Sequence, residues 1–365
     1  MKLPEFTINN KRVINPIIQG GMGIKISLNK LATAAINSNI VGTISAAQTG
    51  FDRFIKGKVA NFYKDNYKVN TEALSYEIEE VRKHSDGILG VNLMTAGKGY
   101  DQFAEFLAKQ DIDFIVSGAG LPMDLPKYLV DSKVKPAFIV SSGRAAKLLC
   151  RNWDRKYNVV PEFIVVEGPL AGGHLGFTKE DIEAGTVKDL EELVVEVVET
   201  IKPFEEKYGR KIPVVAAGGI HDGADIAKFI ELGAAGVQMA TRFIATEECD
   251  VHEAYKMKVV DAKEEDIVAT ASPAGLPGRA IRNKLTEYIK KNNFPVKACV
   301  DCLRSCNKVD IPYCITEKLG ESTSGDVENG LLFTGAKAYM IDKIVTVQEL
   351  VDELMKELNK KLQEV

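Results

Sequence analysis

The chain has 365 residues, 45% of them hydrophobic and 27% charged, a globular composition that excludes global disorder and fits one large α/β domain with an appendage, or two domains. Lysine and arginine number 47 against 51 aspartate and glutamate, and the formal charge of −4 leaves no basic surplus for nucleic acid. No apolar run reaches the roughly 18 residues of a membrane span, and the opening MKLPEFTINNKRVINP has no signal-peptide core, so a soluble cytoplasmic protein is expected.

Taken in chain order, short β-branched apolar runs alternate with helical patterns. The runs are Pro16–Gln19, Ile40–Ser45, Ile88–Leu93, Asp113–Val116, Pro136–Val140, Glu162–Val166, Ile212–Ala216 and Gly236–Met239. Nearly continuous hydrophobicity is how parallel strands covered on both faces read. Between them, Ser27 is placed to cap a helix carrying Leu28, Leu31, Ala35 and Ile36, and Thr71 one carrying Leu74, Ile78 and Val81. Asp101 precedes Phe103, Phe106 and Leu107. Val187–Ile201 is apolar-periodic, and Asp222–Leu232 closes on Gly233 at a C′ position. Eight strands alternating with helices over about 260 residues predict a (β/α)₈ TIM barrel. A doubly wound sheet fits less well, because glycines recur after the first, fourth, sixth and seventh runs.

The expected organisation is a (β/α)₈ barrel over residues 1–262, a cysteine-containing excursion over 263–343 packed on it, and an amphipathic C-terminal helix over 344–365. Gln48–Asn70 is an additional long polar-aromatic stretch. Thr346 and Glu349 form a capping-box pattern, and Leu350, Leu354, Leu358 and Leu362 share one face. Whether that face packs on its own barrel or on a second subunit is open, and a homodimer is a possible outcome.

A barrel places its active site at the C-terminal ends of its strands. Those ends carry Gly20-Gly21-Met22-Gly23, Asn92, Ser117–Gly120, Glu167–Gly176, Ala217-Gly218-Gly219-Ile220 and Ala240-Thr241-Arg242-Phe243. Paired glycine-rich loops after strands seven and eight suit a phosphate, because glycine lets backbone N–H groups approach an anion. Gly218, Gly219 and the helix starting near Asp222 make one half of that cradle, and Ala240 and Thr241 the other. Asn92 could bond a heterocycle edge. Of the four histidines, His84, His221 and His252 read as surface or capping residues. His174, between Gly172, Gly173 and Gly176, is placed for proton transfer near neutral pH. No cysteine ends a strand, and HExxH, Walker, GxSxG and GxGxxG patterns are missing. Phosphate, a ring edge and one histidine point to flavin mononucleotide, FMN.

Pro16-Ile17-Ile18-Gln19-Gly20-Gly21-Met22, Gly90-Val91-Asn92, Ala171-Gly172-Gly173-His174-Leu175-Gly176, Ala216-Ala217-Gly218-Gly219-Ile220 and Gly236-Val237-Gln238-Met239-Ala240-Thr241 together resemble the nitronate monooxygenase family, formerly the 2-nitropropane dioxygenases, over roughly residues 14–285. The resemblance implies an FMN-dependent TIM barrel that oxidises nitronates or nitroalkanes with O₂ to a carbonyl compound and nitrite. The family's other branch, the FabK-type enoyl-acyl-carrier-protein reductases, implies NAD(P)H-dependent reduction of an enoyl thioester. A flavin-binding protein without turnover is a third reading. By the same resemblance Gly21 and Met22 lie against the flavin ring, Asn92 bonds its edge, Glu167, Gly172 and Gly173 contact the cofactor, Gly218, Gly219, Gln238, Met239, Ala240 and Thr241 hold the phosphate, and His174 is catalytic as base or substrate-orienting residue. Ala240 departs from the glycine the family often has there. An enoyl reductase would offer basic residues to a carrier protein, with Arg279, Arg282 and Lys284 as candidates.

Four of six cysteines, Cys299, Cys302, Cys306 and Cys314, are spaced C-x₂-C-x₃-C-x₇-C. Four thiolates can bind zinc or an iron–sulfur cluster, but the spacing matches neither common pattern well, so no metal ligand is assigned. The stretch is expected to lie outside the flavin constellation.

Overall fold

The computed structural model describes residues 3–51, 64–296 and 298–364. Its centre is a single parallel eight-stranded barrel. The strands are β1 (Ile17–Gln19), β2 (Gly42–Ser45), β3 (Leu89–Met94), β4 (Phe114–Gly118), β5 (Lys135–Val140), β6 (Ile164–Glu167), β7 (Val214–Ala217) and β8 (Gly236–Met239). From β2 to β8 each strand pairs in parallel with the next, and β8 pairs with β1. Gln19 N–H donates to Val41 O at 2.9 Å and Val41 N–H to Ile17 O at 3.0 Å, which closes the ring just before β2. All eight expected strands are present, with ends displaced by at most two residues.

Alternation along each strand decides what faces the axis. Ile18, Phe114, Val116, Phe163, Val165, Val215 and Ala217 fill the barrel interior as one apolar cluster. Phe6, Ile8 and Val13 join that cluster from the N-terminal hairpin (Thr7–Ile8 with Lys11–Arg12), which stoppers the bottom of the barrel. The alternate residues, among them Ile17, Ile44, Val91, Ile115, Ile164, Val166 and Val237, pack against the surrounding helices. With the bottom filled, the cavity lies at the C-terminal ends.

Two helix starts differ from expectation. Helix α1 is Asn29–Asn37, capped at Leu28 without a side-chain bond. Ser27 is instead drawn into the barrel: its Oγ accepts from Met22 N–H at 2.9 Å and donates to Gly20 O at 3.1 Å. Helix α2 is Asn66–His84, with Asp65 as its cap, so Thr71 sits inside it and its hydroxyl bonds the Tyr67 and Lys68 carbonyls. Most of the expected Gln48–Asn70 stretch, residues 52–63, lies outside the described residues. Helices α3 (Tyr100–Leu107), α4 (Gly143–Tyr157), α5 (Leu190–Tyr208) and α6 (Gly223–Glu231) continue the outer layer. Gly233 follows α6 with φ +97°, as a C′ glycine should.

The C-terminal helix, α7 (Val347–Glu364), begins with the expected capping box: Thr346 N–H donates to Glu349 Oε2 at 2.8 Å and Glu349 N–H to Thr346 Oγ1 at 3.2 Å. Leu350, Leu354, Leu358 and Leu362 are buried on the chain's own barrel against α6 and α1. That apolar face is therefore consumed within the chain. No helix among the described residues is long and apolar enough to cross a membrane.

The excursion after β8 folds back over the mouth. Strands Ile267–Thr270 and Gly278–Ile281 form an antiparallel pair, and the second also pairs with the two-residue strand Gly173–His174. Helix Ile315–Thr323 then packs its buried face beside the first and third βα loops.

Candidate active site

One cavity of ≈ 300 Å³ opens at the C-terminal ends of the strands, a size suited to a small ligand or cofactor. Every site residue expected from sequence lines it: Gly21, Met22, Asn92, Glu167, Gly172, Gly173, His174, Gly218, Gly219, Gln238, Met239, Ala240 and Thr241.

The floor is set by β1. Gln19 is fully buried, and its amide is satisfied on both sides: Nε2 donates to Ser27 Oγ at 2.9 Å and Oε1 accepts from Thr43 N–H at 3.0 Å. Through Ser27 this network fixes Gly20 and Met22, so the Gly20–Met22 turn is rigid before any ligand arrives. Asn92 and Gln238 line the same cavity from β3 and β8. Gln238 Oε1 is buried without a partner among the described residues, and so is Thr334 Oγ1 on the same cavity wall. A buried polar atom left unbonded costs free energy, and a ligand with donors would relieve both.

The glycine-lined end has the geometry of an anion cradle. Gly218 and Gly219 have φ of +94° and +77°. The N–H groups of Gly218, Gly219, Ala240 and Thr241 have no protein acceptor among the described residues. The start of α6 does not belong to that cradle, contrary to expectation. Asp222 caps it by accepting from Asp225 N–H at 2.8 Å, and Glu357 accepts from Gly223 N–H at 2.8 Å. Carboxylates already occupy the positive end of that helix. The Ala240 methyl lies beside Gly20, 3.3 Å from where a Gly20 side chain would begin.

Glu167 ends β6 on the cavity wall. Burial pushes its carboxyl from 4.5 up to about 7. The native state therefore holds a proton that the unfolded chain releases, and this contribution to stability is present below pH 4.5 and is lost as pH rises through 7. Glu167→Gln in the ligand-free protein should remove that decline. A gain of roughly 2–3 kcal/mol above pH 8 is expected, read as Tm against pH, and a parallel pair of curves would refute it.

His174 is held by the excursion. Its backbone pairs with Gly278, its Nε2 lies 2.8 Å from Ser272 Oγ, and its ring meets the Phe333 ring edge-on at 5.1 Å. Nδ1 has no partner among the described residues. Burial pulls the imidazole from 6.5 down to about 4, so His174 is neutral throughout the physiological range. The other histidines do not line this cavity. His252 caps the helix Glu253–Val260 by accepting from Ala254 N–H, and the His221 carbonyl accepts from Arg242 at 2.9 Å.

Several residues of the site escaped the sequence reading because they come from the excursion: Ser272 beside the histidine, and on the cavity wall Phe333, Thr334 and Gly335 and the Cys302, Leu303, Thr316 and Leu319 group. The cysteine stretch therefore does not lie outside the site; Cys302 forms part of its wall. Arg279 also differs from its expected surface role. Its guanidinium is turned inward and donates to the Pro169 and Ala171 carbonyls at 2.6 and 2.5 Å, bracing the Glu167–Gly172 loop. Arg282 and Lys284 are exposed.

A profile of the nitronate monooxygenase family matches residues 5–357, nearly the whole chain. The chain belongs to the nitronate monooxygenase family. As a member it is an oxidoreductase. It is 29% identical over 310 residues to a probable nitronate monooxygenase of Staphylococcus saprophyticus, covering 80% of this chain and 82% of that protein. Among solved structures it is similar to FabK from Thermotoga maritima, with a TM-score of 0.73 and 26% identity over 96% of this chain and 95% of that one. A nitroalkane oxidase from Streptomyces ansochromogenes has the same fold, with a TM-score of 0.72 and 21% identity over 96% of this chain and 98% of that one.

Proposed function

We propose that the cavity binds FMN and that the protein oxidises alkyl nitronates, and nitroalkanes through them, with O₂ to a carbonyl compound and nitrite. The observation that carries this reading is a neutral histidine sharing one cavity with a glycine-lined anion cradle, in a nitronate monooxygenase family member. FMN suits the wall: its phosphate would meet the free N–H groups of Gly218, Gly219, Ala240 and Thr241, and its polar ring edge would satisfy Asn92 and the orphaned Gln238 Oε1. Gly21 and Met22 would lie against the ring face. Bound there, the flavin would supply the electron acceptor that O₂ regenerates.

The protein's own residues handle the proton. His174, neutral above about pH 4, can take the acidic α-proton of a nitroalkane at Nδ1 or orient a nitronate already formed. Ser272 at Nε2 fixes the ring's orientation. Ser272 is thus a positioning residue, and Ser272→Ala should lower kcat about tenfold on neutral nitroalkane with little change in KM. Its pH–rate profile should move on the acid side, because one hydrogen bond to the imidazole is gone; an unchanged profile with lower protein yield would mark Ser272 as structural only.

Enoyl-thioester reduction is the second reading, favoured by the 26% identity to FabK over nearly the full chain. The inward-turned Arg279 removes one residue from any carrier-protein docking patch. Anaerobic mixing separates the readings. Bleaching of the flavin spectrum by propionate-3-nitronate but not by NADH is expected. Rapid bleaching by NADH with reoxidation by crotonyl thioester would replace the first reading with the second, and a purified protein that takes up no flavin would end both.

A further inference from the structure

Cys299, Cys302, Cys306 and Cys314 come from separate turns of the excursion, yet all four line one small second cavity together with Asp301 and Lys308. All are free thiols. Cys302 lines both this cavity and the main one, so the two share a wall. The segment is tied to the barrel mouth: Lys98 N–H donates to Cys302 O and Arg304 N–H to Ala96 O, each at 3.0 Å. Donors already point at two of the sulfurs. Asp301 N–H approaches Cys299 Sγ at 3.2 Å, the Thr316 side chain bonds Cys302, and Cys314 stands at the N-terminal end of the nine-residue helix Ile315–Thr323 with no side-chain cap bond.

Four cysteines gathered on one small cavity make a soft, sulfur-rich donor set of the kind that binds a thiophilic metal centre. A single zinc ion needs all its sulfurs about 2.3 Å from one point, and no group of three or more His, Cys, Asp or Glu among the described residues is gathered to hold one ion. An iron–sulfur cubane asks for something different: one cysteine per iron, the sulfurs standing apart around a larger body. We propose that Cys299, Cys302, Cys306 and Cys314 are the ligands of a four-iron, four-sulfide cluster seated in the wall of the main cavity.

The test is metal analysis of the full chain, expressed with added iron and purified without oxygen. About four iron and four acid-labile sulfide per chain are expected, with a paramagnetic signal appearing on dithionite reduction. Cys306→Ser and Cys314→Ser should each lose most of the iron while far-ultraviolet circular dichroism stays native, and Cys150→Ser, whose thiol is on the buried face of α4, should keep it. One zinc per chain, no iron after reconstitution with ferrous ion and sulfide, or full iron in both folded variants would overturn the proposal. Should the variants not fold, the iron, sulfide and paramagnetic content of the unaltered chain decides alone. Because iron and sulfide are counted rather than turnover, this result is independent of whether nitronates are the substrate.

Discussion

His174→Gln should lower kcat on a neutral nitroalkane by roughly 10²–10⁴-fold while flavin content is unchanged. Burial keeps the imidazole neutral above about pH 4, so the free base is present at every working pH. Glutamine keeps a hydrogen-bonding group near Ser272 but cannot accept a proton in that range. The loss on a preformed nitronate should be much smaller, because no C–H bond then has to be broken. The ratio of the two losses measures how much of the role is proton abstraction and how much orientation. Equal losses on both substrates would assign His174 to orientation alone, and no loss on either would remove it from the mechanism. The same burial has a cost for stability. Because the folded value is depressed, the neutral histidine stabilises the fold above pH 6.5, and that contribution is lost as pH falls toward 4. His174→Gln should therefore flatten part of the acid limb of the Tm curve. This second readout tells a well-folded variant from a damaged one.

The barrel was legible because its strands obey a local rule. A strand buried on both faces must be apolar at nearly every position, and Val214–Ala217 or Ile164–Val166 show this without any knowledge of partners. Glycines at strand ends were legible for a related reason: a backbone that must approach a ligand closely admits few other residues. Ser27 failed as a cap because a stronger demand recruited it, namely satisfying buried Gln19 and the Gly20–Met22 turn. Ser272, Phe333 and Thr334 were not legible at all. They are brought to the site by the antiparallel pairing of Gly278 with His174 and by the Ala280–Phe333 bridge, contacts between residues far apart in sequence, and a register of that kind leaves no periodic trace. Cys302 was misplaced for the same reason. Position after the eighth strand suggested distance from the site, but the excursion folds back across the mouth.

Gly218→Ala should weaken FMN binding at least tenfold and leave the barrel folded. Two effects combine at this position. The backbone φ of +94° strains any side chain. A methyl there would also come within 2.9 Å of Ala171 N and Cβ, a contact that backbone cannot relieve by rotating a side chain. Ala171 is held in turn by Arg279 through its carbonyl, so the loop leading to Gly172, Gly173 and His174 has to move as a unit. Gly209, at the end of α5, separates the two effects. It has φ +62° with nothing within 4 Å of an added methyl, so Gly209→Ala should cost about 1 kcal/mol from strain alone and leave binding intact. Riboflavin separates a phosphate defect from a displaced wall. If Gly218 serves the cradle, its replacement should weaken FMN far more than riboflavin, which has the ring but no phosphate. Equal weakening of the two, measured by quenching of flavin fluorescence, would mean that Gly218 only packs the Ala171 loop and that the phosphate lies elsewhere.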